Sequence, residues 1–199
     1  MLNTSTNYGV IYMIIRKKTK KMRQSELLIK LEVEPFVTDE ELSDFFEVSI
    51  QTIRLDRLEL GIPELRERIK KVADKNYLKV INLGETEIIG ELIDLNLNEN
   101  GISILETTND MAFKKTKIVK GHHIFSMAES LAMAVISSKV ALTGVANMKY
   151  RIPVLAGDKL IAKAEVTKVK GNEFYVHVKI NVKQEQVFRG KFILVSIEE

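Results

Sequence analysis

The sequence predicts an α+β chain: an N-terminal helix-turn-helix, an amphipathic linker helix, and a C-terminal domain in which a curved antiparallel sheet wraps a central helix. Three observations predict it. From Gln24 to Leu60 apolar residues recur at helical spacing, with two helix-start signals among them. Past "NLGE", Asn82 to Glu85, the apolar period changes from helical to that of a strand. Between two groups of strand-like runs lies "GHHIFSMAESLAMAVISS", Gly121 to Ser138, apolar almost all round and therefore suited to an interior.

A chain of 199 residues fits two small domains of roughly 100 residues each. The formal charge of +3 is too small to imply an anionic partner by itself, so that argument rests on where the basic residues lie. With no cysteine there is no disulfide framework, thiolate metal site or cysteine nucleophile, in keeping with a cytoplasmic protein. The apolar stretch Val10 to Ile15 precedes its positive charges, the reverse of a secretory signal, and is too short to span a bilayer. No membrane association is expected. Residues 1–15 read as a disordered extension, or as the product of an upstream start codon with Met13 the true one. The remaining boundaries are 16–63 for the helix-turn-helix, 64–82 for the linker helix and 83–199 for the C-terminal domain.

Arg16 to Arg23, "RKKTKKMR", is a dense basic run. A first helix from Gln24 to Leu31 packs Leu27, Leu28 and Leu31. Thr38 stands three residues before Glu41, the capping-box spacing, so a second helix begins near Asp39 and buries Leu42, Phe45 and Phe46. Ser49 caps a third, in which Ile50, Ile53, Leu58 and Leu60 are apolar while Gln51, Thr52, Arg54 and Arg57 are polar; Gly61 and Pro63 stop it. Two short capped helices joined by a tight turn are what a helix-turn-helix needs, the second presenting its N-terminal side chains to base edges. A small bundle with a solvated third helix is the other reading. Asp56, unusual on a DNA-facing helix, can brace Arg57 or an N-terminal lysine. Glu64 to Val80 then places Leu65, Ile69, Val72 and Ala73 on one stripe.

Two short strands, in "EIIGELIDLNL" and "GISILETT", precede the central helix, and four longer runs follow it. The clearest alternates Phe174, Val176, Val178, Ile180 and Val182 with Tyr175, His177, Lys179, Asn181 and Lys183, giving one buried and one wet face. Gly171 and Asn172 mark a hairpin turn.

Two resemblances join these parts. "VSIQTIRLDR" looks like the recognition helix of repressors with the signature V-S-x-x-T-I-R-x-D, and "VLAGDKLIAKAEV" resembles a segment of hotdog-fold thioesterases, which pair through their sheets and bind acyl-thioesters. Together with "TDEELSDFFEVSIQTIRLDR", "GIPELRERIKKVA", "AFKKTKIVKGHHIFSMAESLA" and "VFRGKF", they make the chain similar to the FapR family of bacterial repressors. The resemblance implies a homodimer that binds an inverted-repeat operator in double-stranded DNA at fatty acid and phospholipid synthesis genes. Malonyl-CoA, an effector and not a cofactor, then binds in the hotdog domain and releases it.

Carried onto this chain, DNA contacts fall on Ser49, Gln51, Thr52, Arg54 and Arg57, with Arg16, Lys17, Lys18, Lys20, Lys21 and Arg23 along the backbone or in a groove. The effector pocket falls on Phe113, Lys120, Gly121 and Glu129. Three positions depart from the family pattern: Lys120 replaces an arginine, Glu129 an asparagine, and Lys117 the glycine of "KTGIARGH". Arginine grips a carboxylate through two parallel hydrogen bonds whereas lysine offers a point charge. Glu129 beside a malonate repels it unless protonated or neutralised by Lys120, and a Lys120–Glu129 ion pair would fill the site. These changes leave open a sensor of a different acyl-CoA. They also leave open a hotdog acyl-CoA thioesterase using Glu129, although the "HGG" usual before that helix reads "KGH" and a hydrolase has little use for an operator-reading domain. The expectation is a regulator and no enzyme. His122 and His123, adjacent and without a third ligand, do not make a metal site.

Overall fold

The computed structural model describes residues 19–197. Its contacts divide the chain at Arg68/Ile69 into an N-terminal and a C-terminal unit. The sequence-predicted extension, residues 1–15, and Arg16, Lys17 and Lys18 lie outside the described residues. No helix among the described residues is long and apolar enough to cross a membrane.

In the N-terminal unit, α1 spans Lys20–Val33, α2 Asp39–Phe46 and α3 Ile50–Glu59. Helix α1 starts four residues before its predicted position, because the hydroxyl of Thr19 accepts from the Met22 amide and caps it there. Lys20, Lys21 and Arg23 therefore belong to a helix. The capping box of α2 is complete: the Thr38 hydroxyl accepts from the Glu41 amide and the Glu41 carboxylate from the Thr38 amide. Glu47 ends α2 in the left-handed region with φ of 52°, and Ser49 starts α3 two residues later.

The core of this unit is Leu27, Leu31, Leu42, Phe46 and Ile53. Three apolar residues expected inside are exposed: Leu28 at 40%, Phe45 at 55% and Leu58 at 78%. On α3 the reason is visible, for the buried positions 53, 56 and 57 form one helical stripe and two of them hold Asp56 and Arg57. Asp56 accepts from Arg23 Nε at 2.6 Å and Gln24 Nε2 at 3.0 Å, while Arg57 donates through Nε and Nη2 to the two oxygens of Asp39, each at 2.8 Å. Paired charges can occupy an interior that lone ones cannot. Phe45, turned outward, stands edge-on to Phe46 with the Lys30 ammonium 4.5 Å from its ring centre.

Helix α4, Leu65–Tyr77, contains the boundary between the units. In the N-terminal unit, Arg68 at 5% exposure donates to the carbonyls of Pro35, Pro63 and Val37. In the C-terminal unit, Asn76 donates to the carbonyls of Leu92 and Ile93, and the Tyr77 hydroxyl to that of Gly90. Sequence reading assigned this helix only an apolar stripe. Ala73, one of its members, is fully buried.

The C-terminal unit is an antiparallel sheet around one helix. Strands β1 (Glu91–Asn96) and β2 (Asn100–Glu106) precede α5 (Gly121–Ala134), and β3 (Val140–Tyr150), β4 (Lys159–Lys170), β5 (Glu173–Val182) and β6 (Glu185–Ile197) follow. The spatial order is β1-β2-β4-β5-β6-β3, so the strand leaving α5 goes to the far edge. Helix α5 packs against β2 through β6. Its Ile124, Met127, Ala128 and Leu131 meet Leu160, Val178, Ile180, Phe188 and Phe192 in one core. Helix and sheet approach closely where β2 carries Gly101: a Cβ there would lie 2.8 Å from Cγ1 of Val135. The α+β architecture expected from the change of period is the one observed.

Among the described residues edge strand β3 pairs only with β6, and it exposes Leu142, Val145, Met148 and Tyr150.

Candidate nucleic-acid and effector sites

The N-terminal residues of α3 are arranged by their own hydroxyls. Ser49 Oγ accepts from the Thr52 amide at 3.2 Å and lies 2.9 Å from the Thr52 hydroxyl, which fixes the helix start and leaves Gln51 exposed. Arg54 is exposed, with Nε 3.5 Å from Asp39. Arg57 points inward to Asp39 and is 6% exposed.

The basic residues of α1 divide in the same way. Arg23 is held by Asp56, and Lys20 reaches Glu59 at 2.7 Å. Lys21 is exposed. Asp56 thus braces Arg23, which is neither Arg57 nor an N-terminal lysine, the two partners expected for it. Among the described residues, the surface that can meet phosphate and base edges comprises Ser49, Gln51, Thr52, Arg54, Lys20 and Lys21.

In the C-terminal unit, Gly121 opens α5 and Lys120 stands at its N-cap position without a side-chain cap. A Cβ on Gly121 would lie 3.3 Å from Cζ and Oη of Tyr150, whose hydroxyl donates to the Gly121 carbonyl at 3.0 Å. Around this contact is a cleft of about 390 Å³, lined by Ile118, Val119, Gly121, Ile124, Tyr150, Arg151, Ile152, Pro153 and Val154. Its chemistry is apolar with one guanidinium, beside the opening amides of a helix, a setting that accepts anionic or carbonyl oxygen. Burial raises the pKa of the Tyr150 phenol, which keeps it a donor.

The other residues nominated for this pocket are not among those lining the cleft. Phe113 is 55% exposed in the segment before α5. Lys120 directs its ammonium toward the Asp110 carbonyl at 3.5 Å. Glu129 is half-buried two turns along α5, and its carboxylate makes no ion pair among the described residues, so the Lys120–Glu129 pair does not form. Tyr150 and Arg151 were missed. The only signal for them is "YRIP" closing a long strand run, and it names no chemistry.

His122 and His123 touch one another, with ring centres 4.1 Å apart. Burial first, then His122 and Lys120, lowers the pKa of His123. Among the described residues no group of three or more metal-ligating side chains comes together.

Lys117 stands at φ of 60°, the left-handed backbone that the glycine of the family pattern would take without strain. For a side-chain-bearing residue that conformation costs roughly 1–2 kcal/mol, against roughly 0.5–1 kcal/mol of extra unfolded-state entropy for glycine. Lys117→Gly is therefore expected to stabilise the C-terminal unit by about 0.5–1 kcal/mol. Urea denaturation followed by circular dichroism would show it as a raised midpoint with an unchanged slope.

Comparison with known proteins shows the fold and the family. Residues 123–188 match the Thioesterase superfamily model. A sigma28-regulated virulence protein of Campylobacter jejuni, Cj0977, superposes with a TM-score of 0.60 at 23% identity, over 65% of this chain and 92% of that one, and establishes the fold. The Transcription factor FapR of Thermoanaerobacter sp. (strain X514) is 60% identical over 92% of both chains. That of Oceanobacillus iheyensis is 50% identical over 89% of this chain and 94% of its own. With a helix-turn-helix in one unit, a hotdog domain in the other and this identity along nearly its whole length, the chain belongs to the FapR family of transcription factors.

Proposed function

We propose that the chain is a cytoplasmic, homodimeric repressor of fatty acid and phospholipid synthesis genes, released from an inverted-repeat operator by malonyl-CoA or a related acyl-CoA. One observation carries the reading. A capped helix-turn-helix with an exposed polar start lies in one unit, an apolar cleft at a helix N-terminus lies in the other, and one helix, α4, belongs to both. A ligand acts through α4 only if it prefers one arrangement of that helix over another; indifferent binding shifts nothing. Edge strand β3, with its exposed apolar side chains, supports pairing of two copies through their sheets.

In this reading Ser49, Gln51, Thr52 and Arg54 face DNA, while Gly121, Tyr150 and Arg151 receive the acyl end of the thioester. The cleft offers Arg151 as a fixed guanidinium at the position's rim, a grip that Lys120 alone does not provide.

The test is titration of malonyl-CoA, acetyl-CoA and longer acyl-CoAs against an operator complex, with free thiol followed in parallel. Release by malonyl-CoA without thiol production is expected. Steady thiol production abolished in Glu129→Gln would replace the sensor by a hydrolase, and release by a non-malonyl thioester alone would reassign the effector. Operator binding insensitive to salt would overturn the DNA half.

A further inference from the structure

Leu55 and Leu58 stand on the outer side of α3, 59% and 78% exposed. At about 100° of turn per residue, the buried positions 53, 56 and 57 centre on one side of the helix. Gln51, Arg54, Leu55 and Leu58 centre on the other, roughly opposite. A surface helix ordinarily keeps that side for polar residues, and Gln51 and Arg54 obey the rule. The two leucines break it. Three residues apart, they are neighbours on the helix surface and form one apolar strip rather than two scattered side chains.

The strip cannot roll inward. Asp56 is held on the inner side by Arg23 and Gln24, and Arg57 by Asp39, so the facing of α3 is fixed from behind. The surround of the strip is polar and largely cationic. Arg54 precedes Leu55 and is exposed, Gln51 lies one turn before it, and Lys20 reaches Glu59 beside Leu58. Such a surround suits a polyanion that carries a small apolar feature between its charges.

The major groove of DNA has that chemistry. Phosphates line its rims, and the 5-methyl group of thymine is the apolar feature among the base edges on its floor. Residues at i, i+3, i+4 and i+7 make the single face that a helix laid in the groove turns to the bases, and 51, 54, 55 and 58 are that set. Gln51 opens the face with an amide suited to the paired donor and acceptor of adenine. Leu55 lies about 6 Å further along the helix, against about 3.4 Å per base pair, so it meets a base pair one or two steps on.

We infer that Leu55 is a specificity residue of the recognition helix, reading the 5-methyl group of a thymine one or two base pairs from the adenine met by Gln51, with Leu58 extending the apolar contact. The inference rests on the DNA-binding reading above and adds to it a requirement for a methyl group at one position of each half-site. Because the contact neutralises no phosphate, its contribution does not depend on salt.

The experiment selects a duplex from a random-sequence pool with the full chain and replaces each of its thymines in turn by deoxyuridine, which keeps every hydrogen-bonding group and lacks only the methyl. Anisotropy titration of the wild type is expected to find one thymine per half-site whose replacement weakens binding about fourfold, the value of burying one methyl group. Leu55→Ala, an exposed change whose fold circular dichroism checks, should weaken the thymine duplex by at least that factor and no longer distinguish it from the uracil duplex. Its salt slope should equal that of the wild type, and Leu55→Met should keep most of the discrimination. Discrimination that survives in Leu55→Ala overturns the inference, and a fall in affinity shared equally by both duplexes assigns the strip to contact with a second copy of the chain. Leu58→Ala should lose less discrimination than Leu55→Ala; a larger loss there moves the contact off Leu55 and overturns the assignment. If a duplex is enriched in which no thymine methyl matters, the DNA-binding reading stands and the inference falls. If the pool yields no enriched duplex, the DNA-binding reading itself fails.

Discussion

A Gly121→Leu variant is expected to hold its operator as the wild type does and to need about a hundredfold more malonyl-CoA for release. Gly121 opens α5 against the Tyr150 ring, and even a Cβ would stand 3.3 Å from Cζ and Oη. The ring cannot swing away cheaply, because its hydroxyl is bonded to the Gly121 carbonyl. The rest of a leucine side chain then fills the cleft that Gly121 shares with Ile124, Arg151 and Val154. Forcing methylenes into a packed site costs roughly 1–3 kcal/mol, and the hundredfold loss corresponds to about 2.8 kcal/mol. Operator affinity should not change, since the helix-turn-helix lies in the other unit. A gel-shift series with and without malonyl-CoA checks both halves, and adding Tyr150→Ala to make room should restore part of the release. Release at the wild-type concentration in Gly121→Leu would remove Gly121 from the acyl site.

The sequence was most legible where one physical signal dominates. The all-round apolar character of Gly121–Ser138 placed α5 in the interior, and the strict alternation from Phe174 to Val182 gave β5 its two faces. The Thr38–Glu41 and Ser49 signals located α2 and α3 because capping is local. Less was legible where partners come from afar. The outward path of β3 beyond β6, which brings Tyr150 against Gly121 twenty-nine residues away, depends on strand order, not on any spacing in the chain. A row of cations across the sheet likewise exists only in register: Lys163 lies opposite Lys179, Lys179 opposite Arg189 and Arg189 opposite Lys149, and nothing along their own strands singles these residues out. Arg68 shows the same limit: nothing in "ELRERIKK" distinguishes the arginine that binds three carbonyls from Arg66, which is exposed.

Arg57 is where the two kinds of reading part, and its replacement is expected to have the largest effect on stability. On sequence it belongs with Gln51, Thr52 and Arg54 on a polar, DNA-facing side; in the structure it is buried and holds Asp39 through two hydrogen bonds. Arg57→Ala leaves the Asp39 carboxylate, 15% exposed, with Arg54 at 3.5 Å as its one remaining ion-pair partner among the described residues. Breaking a buried pair from one side costs about 3–5 kcal/mol. A helical unit of this size is stable by roughly 3–7 kcal/mol in all. The variant should therefore lose most operator binding through local unfolding while still binding malonyl-CoA, and its N-terminal unit should be digested by protease under conditions that leave the wild type intact. Loss of DNA binding alone would not separate an internal role from a phosphate contact. Replacing both partners does: Asp39→Leu/Arg57→Met removes the stranded charge and should recover protease resistance. If Arg57 works only inside the unit, operator affinity returns with the fold. A folded double variant that still fails to bind its operator would show that Arg57 meets DNA after all, and that the pair with Asp39 opens when it does.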